Sequence, residues 1–223
     1  VKDIMEGPSP LWITDIASTC EIGKRSNLIE GSFQIELPDG FGAYIDSLSY
    51  DFRKSVKSIL RKNEDLTILV NQKTDISKLW NHYCSHIDEI QIKNDWEPYS
   101  KEAHAIRNSF YRSQYTTTIS AYLGEELLAV NVSIFEGDLI YDLAGLITPR
   151  EDYKKRSLGT FITLKNIELS IGKGANTYDL LSGNFGYKHR YNAKEVKLKH
   201  FIRCDKKFAD AYGINLEDVS ELL

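Results

Sequence analysis

Apolar and polar residues alternate along Phe33-Gln34-Ile35-Glu36-Leu37, the period-2 pattern of a strand with one buried face, and Pro38-Asp39-Gly40 closes it. The rhythm then changes. Phe41, Tyr44, Ile45, Leu48, Phe52, Val56, Ile59 and Leu60 recur at intervals of three and four, which puts them on one helical face. Arg53, Lys54, Lys57, Arg61 and Lys62 crowd the other side, a solvated basic surface that could also meet a phosphorylated sugar, a lipid headgroup or a CoA. Ser47 or Ser49 marks a break or cap within the run. A strand is predicted over 65–70 and a helix over 75–87 with Ile76, Leu79, Trp80 and Tyr83 inward. A loop at 94–99 holds Trp96 and Pro98. A second helix follows over 103–111, with Ile106, Phe110 and Tyr111 as core candidates.

Three strands come next, over 115–123, 127–135 and 139–146. Gly124-Glu125-Glu126 and Glu136-Gly137-Asp138 lie between them as hairpin turns. A basic loop, a helix to Ile171, a strand over 177–181 and a last strand over 196–204 complete the pattern, with a polar tail that has room for a closing helix. Meander, then strand, helix and strand, reads as an α/β (α+β) fold with a mixed, mostly antiparallel central sheet flanked by helices.

The composition is that of an ordinary globular chain: 223 residues, 42% hydrophobic, 27% charged, net charge −4. Mild acidity gives no reason to expect nucleic-acid binding. No apolar run approaches the ~20 residues that span a bilayer, and no signal-peptide pattern opens the chain. Cys20, Cys84 and Cys204 fit no ligand spacing and read as reduced thiols of a cytoplasmic protein. His82 and His86 could share a helix face but find no third ligand in the sequence, so no metal is expected. The chain starts with Val, and Gly7-Pro8-Ser9-Pro10 is a turn or linker signal before the apolar Leu11-Trp12-Ile13.

Candidate chemistry concentrates between Gly145 and Tyr191. Lys154-Lys155-Arg156-Ser157-Leu158-Gly159 lies between a strand and a helix, where free backbone N–H groups and the helix dipole suit a phosphate or pyrophosphate. Gly159 lets a ligand approach the backbone closely. This run resembles the Gln/Arg-x-x-Gly-x-Gly/Ala signature of the GNAT N-acetyltransferases, with Lys154 for the usual Gln/Arg and Ser157 for the first glycine. Tyr178-Asp179-Leu180-Leu181-Ser182-Gly183-Asn184-Phe185-Gly186-Tyr187-Lys188 resembles the (F/Y)-D-L-x-x-G-x-x-x-Y-K element of their CelD/BcsL-type branch, itself related to the Fem peptidyltransferases. The resemblance covers roughly residues 33–204. It implies a GNAT-like domain over 33–205, a preceding extension or half-domain remnant over 1–32, and a tail over 206–223. Relatives in that branch usually carry another α/β half ahead of this region, so the resemblance implies either a fragment or a shortened relative.

The same resemblance implies two parallel strands, near 140–147 and 177–181, that splay apart to admit the pantetheine arm of acetyl-CoA. A backbone N–H at Leu146 or Ile147 would polarise the thioester, and Lys154, Lys155, Arg156, Ser157, Leu158, Gly159 and Thr160 would hold the pyrophosphate. Asn184 and Tyr191 keep the spacing of the family's N-x-x-A-x-x-x-Y run, with Tyr187 at the alanine, which makes Tyr191 a candidate general acid or else a packing aromatic. Lys188 stands where it could hold an anionic group or bridge to Asp179, and Asp179 or Asp142 could be a buried partner or help deprotonate an amine. The implied reaction is acyl transfer from CoA to a small-molecule amine or a sugar-derived acceptor such as a cell-envelope precursor. A homodimer is compatible with all of this. The alternatives are a Fem-like aminoacyl transfer and a non-catalytic binding module of the same fold.

Overall fold

The two hairpins expected from the Gly124 and Gly137 turns form the centre of a five-strand array. The computed structural model describes residues 11–17, 24–26, 31–72, 74–93, 97–182, 186–203 and 219–220. It divides into two compact units, one built on Ile35–Leu180 and Arg190–Asn192, the other on Val1–Gln34, Leu181–His189 and Ala193–Leu223.

In the larger unit, β4 (Thr67–Val70), β5 (Thr117–Leu123), β6 (Glu126–Glu136), β7 (Leu139–Ile147) and the first four residues of β8 (Thr177–Ser182) lie side by side in the order β8-β7-β6-β5-β4, and the last two residues of β8 belong to the smaller unit. The β4–β5, β5–β6 and β6–β7 pairs are antiparallel, and β7–β8 is parallel. Both tight turns need a left-handed residue, and Gly124 and Gly137 supply it at φ 58° and 63°.

The long helical run expected after Gly40 is two helices, α1 (Phe41–Ser47) and α2 (Tyr50–Lys62). Leu48 is extended, and Ser49 caps α2 by accepting from the Phe52 N–H at 3.4 Å. Beyond β4, α3 (Ser77–Lys93) runs further than its apolar pattern, and α4 (Lys101–Tyr111) follows. Of the core candidates on α4, Tyr111 is buried, whereas Ile106 and Phe110 are 70% and 42% exposed. The inward stripe is His104, Arg107 and Tyr111, at the proper helical spacing but mixed in polarity. A count of apolar residues alone therefore selects the wrong face. Helix α5 (Leu158–Gly172) connects β7 to β8 and is buried on several sides, through Leu158, Phe161, Ile162, Leu164, Asn166, Ile167 and Ser170.

Two clusters sandwich this array. Ile59 and Leu66 meet Ile119, Ala121, Leu158, Phe161 and Ile162 on the α2/α5 face. Ile76, Leu79, Trp80 and Tyr111 cover Val130, Val132, Ala144 and Leu146 on the α3/α4 face. The burial of these side chains, at about 25 cal/mol per Å² of apolar surface, is what holds the layers together.

In the smaller unit, β1 (Leu11–Ala17), β2 (Lys24–Ser26) and the start of β3 (Gly31–Glu36) pair antiparallel with β9 (Lys194–Arg203), and β10 (Val219–Ser220) pairs with β2. The Leu11-Trp12-Ile13 patch opens β1, which meets β9 at Leu11↔Arg203. Cys20, Trp96, Asn184 and Cys204 lie outside the described residues.

Candidate active site

Strands β7 and β8 begin together and then part. Their parallel pairs run Leu139↔Thr177, Ile140↔Tyr178 and Tyr141↔Asp179, after which β7 continues to Ile147. The start of β8 is fixed by Asn176 and Thr177, whose N–H groups both donate to the Asp138 carbonyl, and by Leu37 N–H to Asn176 O. Leu143 is an extra residue in β7: Ser133 pairs with Asp142 and Val132 with Ala144. Such a bulge twists a strand and ends regular pairing.

Beyond the bulge the hydrogen-bond direction follows from one contact. Thr148 N–H donates to Leu128 O on β6 at 2.8 Å, so Leu146, two residues earlier, also faces β6. Gly145 and Ile147 direct their N–H groups to the opposite edge of β7, the edge on which β8 lies. Of the two residues expected to offer an N–H, Ile147 directs it to this edge, and Leu146, fully buried, directs its own to β6. Gly145 has open space where a side chain would stand.

The loop after β7 is held by its own charges. Arg150 bridges Glu126 (2.8 Å) and Asp152 (2.9 Å), and the Tyr153 hydroxyl donates to Glu126 at 2.9 Å, which keeps that carboxyl below its usual range. Lys154, Lys155 and Arg156 end a 3-10 turn, Glu151–Arg156. Lys154 pairs with Glu151 at 3.3 Å. Arg156 forms a two-pronged pair with Asp65 (2.7 and 2.9 Å) and donates to Lys62 O, while Asn63 Nδ2 donates to Arg156 O. The guanidinium holds Asp65 below the usual carboxylate range. Ser157 adopts φ 54°, ψ 48°, the left-handed conformation that glycine favours, so the turn survives where the signature's first glycine is replaced. Its side chain makes no capping bond. The N–H groups of Leu158, Gly159 and Thr160 thus open the helix, and no atom lies within 4 Å of a Cβ built on Gly159.

Under the β7–β8 junction lies a buried polar chain that ends on Asp142, a candidate buried partner in the sequence, and whose two asparagines the sequence patterns do not single out. Asn166 of α5 donates both amide hydrogens, to Asn131 Oδ1 (2.7 Å) and to the Tyr178 hydroxyl (2.8 Å). Asn131 Nδ2 donates to Asp142 Oδ1 at 2.9 Å, and Tyr178 is hydrogen-bonded to the same carboxylate. Asn131, Asn166 and Tyr178 are all 0% exposed. Burial first, and Asp142 next, push the Tyr178 phenol well above its ordinary value. The signal was present: Asn131 and Asn166 interrupt otherwise apolar runs at inward positions.

Tyr191 is 5% exposed, with its ring edge-on to Phe52 at 5.2 Å. Its carbonyl accepts from the Tyr44 hydroxyl at 3.2 Å, and burial, followed by the neighbouring Tyr191 phenol, raises the Tyr44 phenol strongly. Asp179 is 3% exposed within β8. In the smaller unit, Lys188 is 1% exposed and donates to Leu181 O (2.8 Å) and Ser182 O (2.7 Å), and Tyr187 is 50% exposed. Lys188 is thereby tied to the last two residues of β8, since a buried ammonium demands such acceptors. His82 and His86 stack 6.4 Å apart, and no group of three His, Cys, Asp or Glu side chains among the described residues could hold a metal.

A family model described as an acetyltransferase (GNAT) domain matches residues 51–189, which takes in the strands, the loop and the polar chain. The chain belongs to this family. No curated protein matches it in sequence. Among solved structures, FemX has a TM-score of 0.59 at 8% identity, covering 81% of this chain and 63% of FemX. A conserved protein of unknown function from Bacteroides thetaiotaomicron gives 0.55 at 8% identity, covering 89% and 64%. The C-terminal domain (DUF2156) of an Agrobacterium fabrum protein described as a lysylphosphatidylglycerol synthetase gives 0.53 at 9%, covering 95% and 73%. The chain thus spans under two thirds of the first two. At such identities the likeness is one of fold. This GNAT-type acyltransferase fold has no helix, among its described residues, long and apolar enough to cross a membrane.

Proposed function

We propose that this GNAT domain takes an acyl group from a coenzyme A thioester, acetyl-CoA in the first instance, and passes it to an amine of an amino sugar or a cell-envelope precursor. The observation that carries the reading is the free course of β7 past its last parallel pair. Gly145 and Ile147 turn their N–H groups to that edge, and the strand leads into a left-handed Ser157 and an open Gly159. A pantetheine arm can pair with the Gly145–Ile147 edge as an added strand would, and the Ile147 N–H can stabilise the oxyanion that forms on the thioester carbonyl. The pyrophosphate would sit on the N–H groups of Leu158, Gly159 and Thr160, with Lys155 supplying charge while Lys154 and Arg156 shape the loop.

The amine attacks the thioester carbon, the C–S bond breaks, and the thiolate takes a proton. Tyr191 is the candidate donor, and Asp179 a candidate acceptor of the amine proton. Tyr187 is a candidate contact for the acceptor. Lys188 acts in this reading through its bonds to the Leu181 and Ser182 carbonyls at the end of β8, and Asn184 is a candidate contact for the cofactor.

Calorimetric titration with acetyl-CoA tests the proposal. The natural chain should bind at micromolar affinity, and Gly159→Val should weaken binding at least about tenfold without unfolding, since a Cβ at this position meets no neighbouring atom within 4 Å. Folded protein that gives no heat with acetyl-CoA or longer acyl-CoAs would end the CoA reading. One observation favours a second reading, Fem-like transfer of an aminoacyl group: two of the three loop cations, Lys154 and Arg156, are already paired within the chain. Acyl transfer from charged tRNA in the absence of CoA would support it, and inactivity with both donors would leave a binding module.

A further inference from the structure

A cavity of about 550 Å³ opens in the larger unit on the α3/α4 side of the sheet, where β4 hands over to α3 and α4 to β5. Its β-strand wall is Thr118 and Ser120 of β5 and Val130 of β6, and β5 is two strands from β7 in the sheet order. That volume falls inside the roughly 300–1,000 Å³ typical of small-molecule sites.

Three features define what would fit. The first is Ser120, which is 1% exposed and lines the cavity, yet its Oγ has no hydrogen-bond partner among the described residues. A buried hydroxyl left in this state is destabilising, and a ligand hydroxyl in the cavity would supply the missing partner. The second is Arg112, a cation at the rim. Its contacts are long, 3.4 Å to Ser77 Oγ and 3.9 Å to Asp75 Oδ1, and its side chain is 48% exposed. The third is Asn71, held at φ 54° between β4 and α3 by an exchange with Thr118. It donates its N–H to Thr118 O at 2.8 Å and accepts the Thr118 N–H on Oδ1 at 3.0 Å. That contact fixes the orientation of its carboxamide. Ile76, Tyr111 and Val130 provide an apolar floor.

We propose that this cavity is a second small-molecule site, separate from the acyl-transfer cleft, for a monosaccharide-sized polyol carrying one anionic group. The hydroxyls would meet Ser120 and the fixed Asn71 carboxamide, the C–H face of the ring would lie on the apolar floor, and the carboxylate or phosphate would pair with Arg112. The proposal does not depend on the acyl donor, and its test uses none.

The probes are glucuronate, glucose 6-phosphate and neutral glucose, titrated into the full chain and followed by calorimetry and ligand-observed NMR. At least one anionic sugar should bind, and more tightly than glucose; the tighter of the two identifies the anion. Arg112→Gln should weaken that binding about tenfold, and Ser120→Ala about threefold, with unchanged thermal unfolding for Arg112→Gln. Absence of binding by all three probes would overturn the site. Glucose bound as tightly as the anions, or anion binding indifferent to both substitutions, would overturn the chemistry assigned to it.

Discussion

The loop before α5 and the polar chain beneath β8 are both rich in hydrogen bonds, but they have opposite design. The loop is a surface lattice of ions: Arg150, Lys154 and Arg156 each meet a carboxylate, at sites open to solvent. The chain of Asn131, Asn166, Tyr178 and Asp142 is neutral save for its last member, and three of the four are wholly buried. Exposed ion pairs contribute little each and shape a backbone that can still adjust. A buried amide relay tolerates no substitution at one member, because each remaining group would lose its partner without gaining water. The first surface suits the ligand-binding role proposed for it, and the second lies where two strands separate.

The largest effect should come from breaking the buried chain. Asn166→Leu leaves Asn131 Oδ1 and the Tyr178 hydroxyl without their donor, and should lower stability by about 3 kcal/mol or more in urea unfolding. A loss below about 1 kcal/mol would mean the chain is rebuilt around the leucine.

Alkali comes next. The phenols of Tyr44, Tyr83 and Tyr178 are all raised by burial, so the fold holds them neutral. Their contribution is complete below the ordinary tyrosine value of about 10 and is lost as pH rises past it. Thermal unfolding measured upward from pH 9 should fall steeply, and less steeply in Tyr178→Phe if that variant is folded.

The loop should respond in the acid direction and less. Arg156 lowers the Asp65 carboxyl, so this pair stabilises the fold above about pH 3.9 and fades as pH falls below it. Asp65→Asn should cost about 1 kcal/mol at neutral pH, allowing for solvent screening, and should flatten the acid limb of the stability profile. An unchanged acid limb would show that the pair contributes nothing in solution. The smallest change expected is a gain: Ser157→Gly removes a side chain from a left-handed position and should stabilise by about 0.5 kcal/mol, read as a small rise in Tm.

The elements of the meander and the α5 loop were legible because each rests on local physics. Gly124 and Gly137 announce turns, alternating residues announce strands, and Ser49 announces a cap. The parts that were not legible depend on partners distant in sequence. Arg156 looks like a free cation until Asp65, 91 residues earlier, is placed beside it. Leu146 and Ile147 are indistinguishable in sequence, and only the register with β6 tells which N–H turns outward. Ile106 and Phe110 read as core in the sequence because apolar residues usually are; Arg107, which donates to the hydroxyls of Tyr83 and Tyr111 on the inward stripe, has no such signature.

The packing of Trp80 has a practical consequence. Its indole stands 5.5 Å from the rings of both Tyr83 and Tyr111, and Tyr111 reaches on to the Leu143 carbonyl in the β7 bulge while also lining the cavity. An excited indole in such a place is sensitive to small shifts of its neighbours. The molecule carries a fluorophore beside both regions, and its emission can be followed in real time as candidate ligands are added, with no label attached.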